Sequence, residues 1–397
     1  MHTSVAFTLA LALGAGNLHA GQYLYAWAMQ TTDPTTAVPP AESMGRDFLA
    51  VFEVGPDSTA FGNLVAMLPV GKRAQMAHHT NYSMPADGFL FASDFRAGEA
   101  YVFDVRDPEK PKLSATFGQA GPYTHPHSFA ALANGHTLAT YQFKGEPDEQ
   151  AGALVELDRA GRVVRSSDAS DSAVDKFIRP YSLEVVPKLD RVVTSSADML
   201  PSDESSHVVQ VWRLSDLKLI RSVVLPKSPR FKDAVNKNAT EPRLLADGET
   251  VLVVTSSCGL YRLTGLSGDD PGVEFVHDFG YRNCAVPAVM GHYWIQTAMS
   301  GHALVSLDVR DPVHPVDAGT LALRADAVPH WIAGDPAGKR IVITGFGWLA
   351  TRALFASLDP ETGAMKLDSR VLDFAREWPD GWKGAAMPHG VVFGAAK

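Results

Sequence analysis

The chain has 397 residues, of which 46% are hydrophobic and 20% charged, and its formal net charge is −9. That is a globular composition, and the acidic balance argues against a nucleic-acid backbone or an anionic membrane as the main partner, since both are gripped by clustered Lys and Arg. Cys258 and Cys284 are the only cysteines, too few for a disulfide framework or a thiolate cluster, while 33 Gly and 26 Pro fit many short strands and turns rather than a helical bundle.

Residues 1–20 carry a short apolar run from Val5 to Leu13 and end in Leu18-His19-Ala20, a small residue before a cleavage point. The run is too short to span a bilayer and resembles a secretory signal peptide with a weak basic start. The expectation is a leader over 1–20, a mature domain over 21–397, and a periplasmic or secreted protein with no membrane insertion of the mature chain. Outside the cytoplasm Cys258 and Cys284 can pair. Two buried free thiols are an equal alternative from sequence.

One unit then recurs along the chain. Its clearest copies, at 88–117 and 289–323, share a strand followed by Asp-Val-Arg-Asp-Pro, two residues and Pro (Asp104 and Pro111; Asp308 and Pro315). Asp-Pro opens a turn and the second Pro delays pairing, so the piece reads as a hairpin. Weaker copies lie at 127–166, 181–225, 242–279 and 330–372, each with a second strand rich in Val, Thr and Ser. Six units at a spacing of roughly 40 to 60 residues fit propeller blades. A seventh is built from both ends: 22–27 and 47–54 at the start, 390–393 at the end. The predicted fold is therefore all-β, a single seven-bladed β-propeller whose N- and C-terminal strands close the ring in one blade, which removes exposed sheet edges. Partial helix is expected only over 204–218 and 370–378.

Residues at the same point of each repeat meet near a propeller's axis. Among 14 histidines, His78 and His79 precede the first clear unit, and His127, His330 and His389 open inner strands, each after a proline (Pro126, Pro329, Pro388). Converging neutral imidazoles suit copper, zinc, iron or nickel. Adjacent His78 and His79 can both face inward only from a loop or bulge, because neighbours on a regular strand alternate faces. The predicted metal ligands are His78, His79, His127, His330 and His389, with His78 and His79 also assigned to catalysis. His125 is a supporting residue or alternative ligand. The remaining histidines read as turn, surface or packing residues. No phosphate-loop, dinucleotide or nucleophile-elbow pattern stands in context.

Several segments together resemble the selenium-binding protein / methanethiol oxidase family: Tyr23-Leu24-Tyr25-Ala26-Trp27, Asp47-Phe48-Leu49-Ala50-Val51, Ala77-His78-His79-Thr80-Asn81-Tyr82, the hairpin from Tyr101 to Leu113, His127, and Pro388-His389-Gly390. The resemblance implies a seven-bladed propeller with copper at the channel mouth. It also implies oxidation of a small thiol, methanethiol, by oxygen to formaldehyde, hydrogen sulfide and hydrogen peroxide. His78, His79, His127 and His389 match its pattern, whereas His330 rests on repeat position alone. The Cys-x-x-Cys stretch of many members is replaced here by Ser83-Met84-Pro85-Ala86-Asp87, which removes the basis for a selenium-binding or thiol-relay role. Two other readings remain: a non-enzymatic metal-binding or protein-interaction propeller, and a metal-dependent propeller hydrolase, disfavoured because histidines occupy the positions where carboxylates would be needed.

Overall fold

The computed structural model describes residues 22–145, 150–172, 174, 178–199, 207–229 and 238–394. The expected leader, residues 1–20, lies outside them. The described chain forms seven four-stranded antiparallel sheets, the predicted propeller. Blades 1 to 6 follow in chain order. Their innermost strands are Ala77–Thr80, Tyr123–Ala131, Pro180–Val186, Ala239–Leu244, Ala288–Met290 and Ala327–Gly334. Blade 7 joins the chain ends: the C-terminal strand Ala385–Phe393 is innermost and pairs with Tyr23–Thr31, which is followed outward by Met44–Glu53 and Leu64–Arg73. No helix among the described residues is long and apolar enough to cross a membrane.

Alternation along the strands builds the ring. A strand has two faces, and in a propeller each face meets a different neighbouring blade. In Met44–Glu53, Phe48, Ala50 and Phe52 pack toward blade 6 with Trp331 and Phe355, while Leu49 and Val51 pack toward blade 1 with Leu90 and Tyr101. Buried tryptophans fill these seams and find acceptors across them: Trp27 Nε1 donates to the Ser93 carbonyl and Trp331 Nε1 to that of Val391, each at 2.9 Å. Cys258 and Cys284 form a disulfide with Cα atoms 5.1 Å apart, within the apolar seam between blades 4 and 5. This resolves the open question in favour of pairing.

The two helical expectations do not hold for the described residues. Val208–Arg213 is a strand buried on both faces, and Met365–Asp373 is the outermost strand of blade 6. Beyond that strand the first segment continues into a turn, where Leu217 has φ of 57°.

The innermost strands share an irregularity that shapes the centre of the molecule. Each is the edge of its sheet, so proline costs no ladder hydrogen bond there, and Pro126, Pro180, Pro242, Pro329 and Pro388 all lie within them. Each of these strands, and that of blade 1, also carries a bulge. The register slips at His78-His79, His127-Ser128, Tyr181-Ser182, Thr240, His330 and His389-Gly390. A bulge frees a backbone N–H, and a hydroxyl on the second strand of the same blade accepts it. The N–H of His79 donates to Ser93, that of Ser128 to Thr140, and that of Ser182 to Ser195. Each hydroxyl in turn donates to a carbonyl in the next blade's bulge: Ser93 to His127, Thr140 to Tyr181, and Ser195 to Thr240. Thr344 makes the same link from blade 6 to His389. The bulges are thus tied blade to blade around the axis.

Candidate metal centre

The bulge at 78–79 turns two consecutive histidines the same way. Their rings stack with centroids 4.4 Å apart, the arrangement that a regular strand forbids. The ring of His127 from blade 2 lies 4.8 Å from that of His78 and 4.2 Å from that of His79. One ring nitrogen from each of these three residues falls within 4.8 Å of the other two. His389, from the closing strand, is 4.4 Å from His78 by ring centroid, and His330 from blade 6 is 4.7 Å from His389. All five predicted residues therefore come together from blades 6, 7, 1 and 2. The tight group is His78, His79 and His127; His389 adjoins it, and His330 adjoins His389. His125 is not among them: with φ of 59° it turns away between Phe95 and Phe143, and its Nδ1 meets the Thr124 hydroxyl.

Burial sets the charge state. His78, His79 and His127 are 3%, 0% and 0% exposed. Loss of water pushes all five imidazoles below their ordinary range, His127 to about 3 and His330 to about 4. Mutual repulsion among the rings adds to the effect at His78, His79 and His389. The cluster is neutral at physiological pH, the form in which imidazole offers a lone pair to a metal.

The hydrogen bonds show which lone pairs are free. His127 Nδ1 lies 2.7 Å from the Tyr181 carbonyl oxygen. A carbonyl only accepts, so Nδ1 carries the proton and Nε2 is bare. That nitrogen stands 3.0 Å from His78 Nε2, close to the roughly 3.3 Å separating two ligands of one tetrahedral ion with metal–nitrogen bonds of about 2.05 Å. Buried ring nitrogens with no hydrogen-bond partner remain on His78 (Nδ1), His79 (Nε2), His330 (Nδ1) and His389 (Nδ1). A buried polar nitrogen without a partner costs roughly 1–3 kcal/mol, and neutral imidazoles gathered as closely as His78, His79 and His127 supply donors of the softness that late transition metals take. The residues fit a metal ion.

Sequence reasoning missed the other half of the axis. Trp331 sets its edge against His79 at 5.0 Å and stacks on Tyr82 at 5.1 Å with only 14° between the planes. On the opposite face of Tyr82, the Arg243 guanidinium lies 3.7 Å from the ring centre. Arg243 is buried and paired with buried Glu241 at 2.9 Å. Ser128 and Ser182 complete the group through the Tyr82 hydroxyl. The available signal was position: Tyr181 and Ser182 sit in a bulge equivalent to those of the histidines, and Glu241 follows the slip at Thr240, but without histidine they did not stand out.

No protein-family model matches the chain. Among curated proteins it is similar to a methanethiol oxidase from Hyphomicrobium sp, 23% identical over 337 residues, which covers 78% of this chain and 71% of that protein. A second methanethiol oxidase, from Ruegeria pomeroyi, is 27% identical over 150 residues, 36% of this chain and 31% of its own length. Among solved structures, a hypothetical selenium-binding protein from Sulfolobus tokodaii superposes with a TM-score of 0.76 at 16% identity, covering 97% of this chain and 95% of that one. A periplasmic gluconolactonase from Pseudomonas aeruginosa shares the fold at a TM-score of 0.64 and 13% identity, over 94% of this chain and 100% of its own. The matches bear out the resemblance to the selenium-binding protein / methanethiol oxidase family.

Proposed function

We propose that this chain is an exported copper-dependent oxidoreductase that oxidises a small thiol with oxygen, methanethiol being the model substrate. The observation that carries the reading is the meeting of His78, His79 and His127, buried and neutral, with ring nitrogens within 4.8 Å of one another. The similarity to two methanethiol oxidases supports the substrate class. His78, His79 and His127 would hold the ion, with His389 beside them and His330 behind His389. Copper bound there would supply a site for thiolate and the one-electron steps that reduction of oxygen requires.

The protein's own part follows from its side chains. The Tyr181 carbonyl fixes the proton of His127 on Nδ1 and so aims Nε2 at the cluster. Phe95 packs against His78 and His127, and Trp331 against His79, so the surroundings are apolar and exclude water from the reacting sulfur. Neutral imidazoles leave the site without a fixed positive charge of its own, which suits a small uncharged thiol. The hydrolase alternative is weakened because the buried carboxylate of Glu241 is already engaged by Arg243.

The deciding experiment is the metal content of the purified mature protein after copper loading, beside His79→Ala and His389→Ala. About one copper per chain in the wild type, lost in His79→Ala and reduced in His389→Ala, is expected, followed by peroxide release on addition of methanethiol. Full copper in both variants would overturn the site. Stable copper without thiol turnover would make this a metal-binding propeller and not an oxidase.

A further inference from the structure

The three tightly grouped histidines are buried, so whatever reaches them must first move something aside. Tyr82 stands between them and two cavities of about 620 Å³ each. One runs from Tyr82 over blades 2 and 3, past Phe129 to Asn134 and Leu183 to Val185. The other runs over blades 4 to 6, past Arg243, Pro287 to Gly291 and Ile332. Neither has a histidine in its wall. At its inner end Tyr82 reaches the cluster: its hydroxyl lies 3.3 Å from His79 Nδ1, and the two ring centroids are 6.0 Å apart.

The segment that carries Tyr82 is fastened at its two ends and by this one ring. Asn81 N donates to the Phe91 carbonyl, and a turn from Pro85 to Gly88 closes the far end, where Asp87 pairs with Arg159 at 2.8 Å. No backbone–backbone hydrogen bond holds residues 82–84 among the described residues. What holds them is the Tyr82 ring, stacked on Trp331 and covered by the Arg243 guanidinium, with its hydroxyl 2.9 Å from Ser182 Oγ and 3.2 Å from Ser128 Oγ. A segment with few backbone hydrogen bonds and open space on either side is where local opening is easiest.

We propose that Tyr82 is the gate of the histidine centre and sets the size of the molecule that enters it. With the ring between Trp331 and Arg243 the centre is sealed; withdrawal of the ring joins the flanking cavities to His79. The cavity over blades 4 to 6 favours an uncharged visitor. Met84, Val289, Met290 and Ile332 supply apolar wall. Its charged groups are already engaged: the Glu184 carboxylate accepts from the N–H groups of Val185 and Leu244, and Arg243 donates to Glu241. The inference rests on the proposed function for the identity of the visitor, a small thiol, but the seal is a property of the metal-free protein. Phe95 and Phe346 cover the other side of the cluster, and opening there is the rival route.

The test is acylation of the metal-free protein by diethyl pyrocarbonate, an uncharged reagent for neutral imidazole, read histidine by histidine by peptide mass spectrometry. Tyr82→Ala is expected to speed acylation of His79 about 10-fold or more, while Tyr82→Phe, which keeps the ring in place, stays close to wild type. His125, which lies outside the cluster between Phe95 and Phe143, is the internal reference: a generally loosened fold would speed it too, and opening at Tyr82 leaves it unchanged. His79 as slow in Tyr82→Ala as in wild type would overturn the proposal. So would equal acceleration by Phe95→Ala, which would put the entrance on the other side, or by Tyr82→Phe, which would put the seal in the hydroxyl contacts and not in the ring. In the copper-loaded protein, Tyr82→Ala is expected to raise kcat/KM for phenylmethanethiol relative to methanethiol about 10-fold; an unchanged ratio would overturn the size-selecting role. A wild type that binds no copper but shows the Tyr82-dependent protection would remove the metal-centre reading and leave the seal standing.

Discussion

Replacing His127 by Gln tests the electrostatic description of the centre without any metal. In the folded protein burial holds His127 at about 3, against an ordinary value of 6.5. Below pH 6.5 the unfolded chain takes up a proton that the folded chain refuses, so acid favours unfolding. Each pH unit within that window is worth 1.36 kcal/mol. At pH 5, about 1.5 units below the unfolded value, His127 alone removes about 2 kcal/mol of the stability present at pH 7. Gln does not titrate, and its amide still reaches for the Tyr181 carbonyl. The assay is urea unfolding of the chelator-treated protein at pH 7 and pH 5 with the disulfide intact. Wild type loses stability between the two, and in His127→Gln the loss is smaller by about 2 kcal/mol. An equal loss in both proteins would mean that His127 is not buried neutral, and would refute the charge state assigned to the cluster.

Three further predictions follow from other parts of the molecule. Gly390 lies against the first blade, where a Cβ would come within 2.8 Å of Thr80 N and 3.0 Å of the His78 carbonyl oxygen; Gly390→Ala should cost about 1–3 kcal/mol by overpacking and lower copper loading by drawing His389 away from His78. Asp47 is fully buried beside Asp94 with neither oxygen hydrogen-bonded, and burial followed by the Asp94 charge raises its carboxyl above the usual range. Its protonated form is the stable one in the fold, so its contribution to stability falls as pH rises through the folded value; the urea midpoint of Asp47→Asn should therefore gain on that of the wild type as pH rises from 5 to 8. Cys258 and Cys284 close a loop of sequence separation 26, for which the loop-entropy relation gives about 3.5 kcal/mol; the double Ser variant should lose stability of that order, and peptide mapping without reduction should recover the linked pair.

The ring was legible because its hairpins are marked chemically. Asp-Val-Arg-Asp-Pro at 104–108 and 308–312 fixes two turns, and the weaker copies keep the same order of strands. The outermost strand of the closing blade, Leu64–Arg73, was not recognised: it is only half buried, and its alternation is correspondingly faint. The histidines were legible because Pro-His recurs at one point of the repeat. How His78 and His79 both turn inward was anticipated only as a condition, a loop or bulge, since a register slip has no residue signature of its own. The polar half of the axis was hidden for another reason. Ser182 occupies a bulge like those of the histidines and Glu241 follows one, but a lone Glu or Ser in a strand reads as surface. Tyr82 and Trp331 were passed over beside residues already assigned as ligands. Pairing of the cysteines depended on bringing the turn at Cys258, with φ of 68°, against the bridge of Cys284 to Ala298, a contact between blades that no spacing encodes.

The bulged inner strands explain how one repeat yields an asymmetric centre. A regular strand would send alternate side chains to the two seams and leave the axis lined by backbone. One slip per strand re-aims a side chain at the axis, and the Ser or Thr of the second strand satisfies the N–H that the slip releases. The device recurs on every blade but the fifth, so much of the chemistry at the axis is set by which residue occupies the slip. Histidines occupy it on blades 6, 7, 1 and 2; Tyr181 and Ser182 occupy it on blade 3 and Thr240 on blade 4, with Glu241 and Arg243 following on the same strand. The two sets meet through Tyr82, which follows His79 by three residues and reaches Ser182 across the axis. The histidine half also contains the seam where the ring closes, since His389 is on the last strand and His78 on the first strand of the next blade. Whatever binds those imidazoles therefore bridges the closing seam. It draws its affinity from a geometry that exists only when the N- and C-terminal strands are paired, and by mass action it stabilises that pairing in return.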